Sequence, residues 1–233
     1  MKNILVTGYS RGLGYQIAQD LCNEDVRLIG ISRTNSSCDF EIDKYEVDLS
    51  VPQSVEECVD LLLSKYGTID VLINNAGVYL DDPRVKDCNI MDLNYDNLSK
   101  TINVNYYAPF IITQKIIVRQ LEKGYGRIIN VSSGMGRNSE FDCYSYAYRV
   151  SKLMLNSLTA SYSRLLEKCD SDVAIMSVCP GWIRTDMGTE SAPDTPEKSA
   201  KYIASLYKKS KCDTNGMFLR NGQVLSWMKK EEK

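Results

Sequence analysis

The sequence predicts an α/β fold: one doubly wound parallel sheet of about seven strands, helices on both faces, a single-domain Rossmann fold spanning residues 1–233. Three observations predict it. Short apolar runs such as Ile69 to Ile73 fit strands buried on both faces. Apolar recurrences at helical spacing separate these runs along the whole chain. The first run, Ile4-Leu5-Val6, enters a three-glycine turn that opens a helix.

The strand candidates are Ile4 to Val6, Val26 to Ile31, Tyr45 to Val47, Ile69 to Ile73, Arg127 to Val131, Val173 to Val178 and Met217 to Leu219. The turn Asn221-Gly222 then leads to a short terminal piece, Val224-Leu225. Between them, Leu13, Ile17, Ala18 and Leu21 mark a first helix. Ser50 and Pro52 open a second that carries Val55, Val59, Leu62 and Leu63 and stops at Gly67. Tyr79 to Asn97 is a polar connection, followed by a helix from about Ser99 to Leu121. Pro109 lies within that helix and cannot donate to the carbonyl four residues back, that of Asn105. A further helix follows Tyr144, and the last begins after Pro196.

Composition excludes whole classes of chemistry. There is no histidine, so no histidine-based triad and no histidine-ligated metal site can exist; acid–base work must fall to Tyr, Lys, Cys or carboxylates. Lys plus Arg total 28 against 30 Asp plus Glu, a net charge of −2 that argues for neither nucleic acid nor an anionic membrane. The charged end, Lys229-Lys230-Glu231-Glu232-Lys233, reads as a solvated tail. No stretch approaches the ~20 apolar residues of a membrane span, and the N-terminal run is too short for a signal-peptide core. The eight cysteines are scattered without a C-x-x-C pair, which fits reduced thiols and a cytoplasmic location.

Two stretches carry candidate chemistry. Thr7-Gly8-Tyr9-Ser10-Arg11-Gly12-Leu13-Gly14 is a strand–turn–helix junction whose N–H groups and helix dipole suit a pyrophosphate, spaced G-x-x-x-G-x-G. Tyr148 and Lys152, four apart, share one helix face. They sit roughly 150° from the stripe through Val150, Met154, Leu158 and Leu165, so the pair is expected away from the face that packs. A nearby ammonium should lower the phenol's pKa and make Tyr148 a usable proton donor and acceptor.

In sequence order, Thr7-Gly8-x-x-x-Gly12-x-Gly14, Asn74-Asn75-Ala76-Gly77, Asn105, Ser133, Tyr148-x-x-x-Lys152 and Pro180-Gly181 resemble the short-chain dehydrogenase/reductase family. Tyr148-Arg-Val-Ser-Lys152, the Pro180-to-Gly188 stretch and the ending from Gly216 to Trp227 are similar to its carbonyl-reductase-like and C-signal-factor-like branch. The resemblance implies an NADP(H)-dependent oxidoreductase acting on a small carbonyl or alcohol, with Tyr148 as acid–base group. It implies that Lys152 tunes Tyr148 and binds the nicotinamide ribose, and that Ser133 holds the substrate oxygen. Asn105 would anchor a water through its carbonyl. Ser132 is the alternative to Ser133, since the interval to Tyr148 is longer than the family's usual one.

The implied cofactor residues begin with Gly8, Ser10, Arg11, Gly12, Leu13 and Gly14 in the glycine turn. Ser32 and Arg33 stand after the second strand, and Asp48 and Leu49 after the third. Asn75, Ala76 and Gly77 follow the fourth; Pro180, Gly181, Ile183 and Thr185 follow the sixth. Asp48 reads equally as a helix-start carboxylate, and Thr185 as a plain loop hydroxyl. Trp182, Met135, Phe141, Tyr144 and Met187 should rim a substrate pocket. Ser32 stands where an acid that accepts from the ribose 2′-hydroxyl is expected; with Arg33 and Arg11 nearby, this favours a 2′-phosphate. No metal is expected. A homodimer is expected from the apolar richness of Ile111, Ile112, Ile116, Ile117 and Val118. Two other readings stay open: a ketoacyl-carrier reductase, and a non-catalytic nucleotide-binding signalling protein.

Overall fold

The computed structural model describes residues 1–34, 37–84, 86, 89–137 and 142–227; Phe141 and the Lys229-to-Lys233 run lie outside them. The strands are β1 (Lys2–Thr7), β2 (Val26–Ser32), β3 (Asp43–Glu46), β4 (Val71–Asn74), β5 (Tyr125–Val131), β6 (Asp172–Val178), β7 (Phe218–Arg220) and β8 (Gln223–Val224). They form one sheet in the order β3-β2-β1-β4-β5-β6-β7-β8. β1 to β7 pair in parallel, as expected. The eighth strand is a two-residue antiparallel edge, turned back at Asn221 and Gly222, both at positive φ.

The strand order reverses between β1 and β4, and the crevice outside their carboxyl ends is where an open α/β sheet binds its ligand. The helices are α1 (Gly12–Leu21), α2 (Pro52–Tyr66), α3 (Tyr95–Ile102), α4 (Ala108–Lys123), α5 (Tyr146–Leu166), α6 (Pro196–Ser205) and α7 (Lys211–Thr214). Alternation along β1 divides the core. Leu5 packs with Val55 and Leu62 of α2 and Ile112 and Ile116 of α4. Ile4 and Val6 pack with Ile17 and Leu21 of α1 and Ala200 and Ile203 of α6.

Three expectations are corrected. The first concerns α5, whose stripe is not its packing face. Tyr148, Lys152, Leu155, Thr159 and Ser163 are buried, whereas Leu165 is 49% exposed. The cause is a polar chain: Asn74 Nδ2 donates to Asn130 Oδ1 (2.8 Å), Asn130 Nδ2 donates to Thr159 Oγ1 (2.9 Å), and Thr159 meets Ser177 Oγ at 2.9 Å. A largely polar face packs on the sheet because most of its hydrogen bonds are met there; of the stripe Leu158 is buried with it, so hydrophobic periodicity names a face displaced from the packing one.

The second concerns Asn105. Asn103–Tyr107 is one turn of π-helix, with Ala108 N–H bonded five residues back to Asn103 O. The four-residue count from Pro109 therefore does not carry through this turn. Third, Ile111, Ile112, Ile116 and Ile117 are buried in this chain's own core, and only Val118 is exposed. The apolar richness that suggested a dimer is consumed by the sheet. A smaller difference lies at α2, where Val51 is the N-cap residue and Ser50 instead bonds to Asp48.

Candidate active site

One cleft of about 1090 Å³ runs along the carboxyl ends of the strands. It exceeds the ~300–1,000 Å³ usual for a small ligand, leaving room for an extended cofactor with a substrate. Every residue assigned above to cofactor binding lines it. Ser133, Tyr148 and Lys152 line it as well; Asn105, wholly buried, does not.

At one end sits the glycine turn. Gly8 and Gly12 take φ of +71° and +55°, which side chains with a Cβ rarely adopt. A Cβ on Gly14 would lie 2.1 Å from Gly8 O, so this junction closes only around glycine. The Thr7 hydroxyl accepts the N–H of Asn75 (3.1 Å) and of Ala76 (3.0 Å), and Asn75 Nδ2 donates to Thr7 O at 3.0 Å. The Asn75 side chain thereby ties the end of β4 to the turn after β1. Arg11, the N-cap residue of α1, makes no side-chain cap, and α1 has no acid in its first turn. The helix presents its positive end to the cleft, which fits a pyrophosphate.

The β2 end fits a charged ribose substituent. Arg33 and Lys100 both lie within Coulomb range of Asp48, whose carboxyl is held below the usual range first by the Ser50 hydroxyl and backbone N–H. Asp48 closes a turn on Ser50 ahead of α2, whose N-cap residue is Val51, and it also lines the cleft. The Ser32 hydroxyl donates to Thr34 O (2.7 Å). Arg11 is tied across the cleft to Asp186, and the cation that joins Arg33 around Asp48 is Lys100. Nothing in the sequence signals Lys100, which comes from α3.

At the other end, Tyr148 and Lys152 are both buried. Burial raises the Tyr148 phenol pKa; the Ser133 hydroxyl hydrogen-bonds it and works against that rise. Burial lowers the Lys152 pKa to about 8. The expected lowering of the phenol by the ammonium is not what dominates. Lys152 Nζ donates to Val131 O (2.9 Å) and stands 5.7 Å from the Tyr148 ring centroid, and a dry site disfavours both charges. Ser133, not Ser132, meets Tyr148; the Ser132 hydroxyl points to Lys152 O at 3.5 Å.

Asn105 works through its side chain. Its Oδ1 accepts Val78 N–H (2.8 Å), and its Nδ2 donates to Val78 O (2.9 Å) and Ser151 Oγ (3.0 Å). A Cβ on Gly77 would stand 3.3 Å from Asn105 Oδ1 and 3.6 Å from Lys152 Nζ, so glycine here lets these three meet.

The rim includes Met135, Tyr144, Trp182 and Met187, as expected, and also Tyr79 and Arg84. Arg84 binds Asp82 through Nε (2.8 Å) and Nη2, and donates to Met187 O (2.9 Å) and Gly188 O (3.3 Å). Thr185 accepts Gly188 N–H through its hydroxyl (3.1 Å) and Thr189 N–H through its carbonyl (2.8 Å). The rim from Trp182 to Thr189 is therefore wound on itself and stapled by Arg84.

The chain matches the family described as short chain dehydrogenase over residues 2–196. It is 25% identical to carbonyl reductase [NADPH] 1 of Rattus norvegicus, covering 96% of this chain and 97% of that one. It is 29% identical to a 3-oxoacyl-[acyl-carrier-protein] reductase of Vibrio cholerae, over 80% of this chain and 75% of that one. Among solved structures, carbonyl reductase Sniffer of D. melanogaster superposes with a TM-score of 0.82 at 27% identity, covering 97% of this chain and 100% of that one. With the sheet order, the glycine turn and the Tyr–Lys pair, the match over residues 2–196 makes this chain a member of the short-chain dehydrogenase/reductase family of NAD(P)-using oxidoreductases.

Proposed function

We propose that this chain is an NADP(H)-dependent reductase that interconverts a compact carbonyl compound and its alcohol, with Tyr148 as proton donor and acceptor. The observation that carries the reading is the meeting of Ser133, Tyr148 and Lys152 at one end of a cleft whose other parts present an open helix N-terminus and two cations. A nicotinamide cofactor, when bound, supplies or accepts the hydride. Ser133 holds the substrate oxygen where charge develops. Tyr148, whose pKa is raised by burial, stays protonated at neutral pH and donates to that oxygen. Lys152 donates to the ribose and, as a cation, stabilises the phenolate left behind. Asn105, through its side-chain bonds to Val78 and Ser151, braces the segment beside Lys152. The relatives named carbonyl reductase support NADPH over NADH.

The stapled Trp182-to-Thr189 rim supports a small, fixed lid. Small aldehydes and diketones should therefore oxidise NADPH faster than steroid-sized ketones or carrier-linked acyl thioesters. Stopped-assay rates over such a panel test this. A thioester preference would instead favour the acyl-carrier reading, which the Vibrio cholerae relative keeps in play. No turnover with any carbonyl would favour a nucleotide-binding signalling role.

Acidity offers a second check. Lys152 is cationic below about pH 8 and neutral above it. Reduction gains from the cation and Tyr148 stays protonated throughout, so kcat/KM for NADPH in the reductive direction should be flat near pH 6–7 and fall as pH rises through about 8. A rate rising across that interval would remove the assigned role of Lys152.

A further inference from the structure

The first turn of α5 carries Tyr148, yet its N-cap side chain does not cap it. Ser145, the N-cap residue, is held in the left-handed region at φ 59° and makes no side-chain cap bond. The orphan donors are taken from far away in sequence: Asp81 accepts Ala147 N–H at 2.6 Å and Tyr148 N–H at 3.4 Å. Burial raises the Asp81 pKa, and the backbone N–H bonds it accepts work against that rise. The Tyr79 ring stacks on the Tyr148 ring, with centroids 4.4 Å apart and planes at 27°. The Tyr79 hydroxyl meets Ser145 Oγ, so the residue in the left-handed turn is itself held by Tyr79. Arg84 in turn lies over the Tyr79 ring at 5.6 Å, with its charge matched by Asp82. One short segment, Tyr79-Leu80-Asp81, thus grips both the backbone and the ring of Tyr148 from outside its helix.

We propose that Tyr79 is a positioning residue for the Tyr148 hydroxyl, with Asp81 fixing the backbone that carries it. The inference rests on the proposed role of Tyr148. A phenol that donates a proton in line with hydride transfer must be placed to a fraction of an ångström. Tyr148 has one ring face against Tyr79, and rotation about its Cα–Cβ bond would break that stack. The stack, the capped turn and the Ser133 hydroxyl together hold the ring in one orientation.

The test compares kcat and NADPH affinity in purified full-length variants. Tyr79→Leu, which keeps bulk but not the stack, should lower kcat about 10- to 100-fold and leave the NADPH dissociation constant, read by cofactor fluorescence, unchanged. Tyr79→Phe, which keeps the stack, should recover most of that loss. In a Tyr148→Phe background, Tyr79→Leu should add nothing, because it acts through the missing hydroxyl. Should Tyr79→Leu not fold, Asp81→Ala, which removes the acceptor that an Asn would keep, is read the same way: kcat falls and NADPH affinity holds. Unchanged kcat in Tyr79→Leu overturns the inference. So does a loss that multiplies onto Tyr148→Phe, or one matched by lost NADPH affinity. Full activity of Tyr148→Phe would overturn the proposed function and this inference with it; an inactive Tyr148→Phe beside an unaffected Tyr79→Leu overturns the inference alone.

Discussion

Tyr148→Phe should lower turnover at least ~100-fold, the lower end for a positioned acid–base group, while NADPH binding stays nearly intact. The substitution removes a single oxygen from a buried ring and keeps the ring's contact with Tyr79, so fold and cleft should survive it. In the proposed mechanism what disappears is the proton that reaches the substrate oxygen. Ser133 is a weaker acid, Lys152 is turned toward Val131 O, and the chain has no histidine. Lys152→Ala should damage both turnover and cofactor affinity, because the cation and the ribose contact go together. Steady-state rates with an accepted aldehyde, beside NADPH titrations, separate the two outcomes. A Tyr148→Phe enzyme retaining most of its activity would refute the mechanism.

Arg33→Ala should weaken NADPH binding by about 10- to 100-fold and barely change NADH, since one charge-assisted contact to phosphate contributes roughly 1.5–3 kcal/mol. Arg33 lines the cleft after β2, and Lys100 joins it around Asp48. No acid occupies the position that would accept from an unphosphorylated ribose: Ser32 stands there, with its hydroxyl donated to Thr34 O. Ser32→Asp should shift preference toward NADH by repelling the phosphate. Arg11→Ala should matter less for the 2′-phosphate, because Arg11 is held by Asp186 on the far side of the cleft. Measuring kcat/KM with both cofactors decides the matter; a wild-type enzyme faster with NADH removes the assignment.

The amino-acid sequence by itself determined the sheet, the turn and the pair. Apolar runs separated by helical recurrences admit few arrangements other than a doubly wound sheet, because βαβ units bury strands on both faces. Gly8 and Gly12 were legible because a turn at positive φ needs a residue without a Cβ. Tyr148 and Lys152 were legible because four residues make one helical turn whatever the surroundings. Each of these is a local property of covalent geometry or burial.

The tertiary structure alone decided which face of α5 packs, because Asn130, Thr159 and Ser177 satisfy one another only after three elements meet. It also decided the sign of the perturbation at Tyr148, since burial there outweighs the ammonium four residues along. The roles of Tyr79, Asp81, Arg84 and Lys100 came from contacts across elements, and Arg11 found its partner 175 residues away. Periodicity records where a side chain points from its own backbone. The partner that gives a polar side chain its role arrives from another part of the chain, and only folding brings the two together.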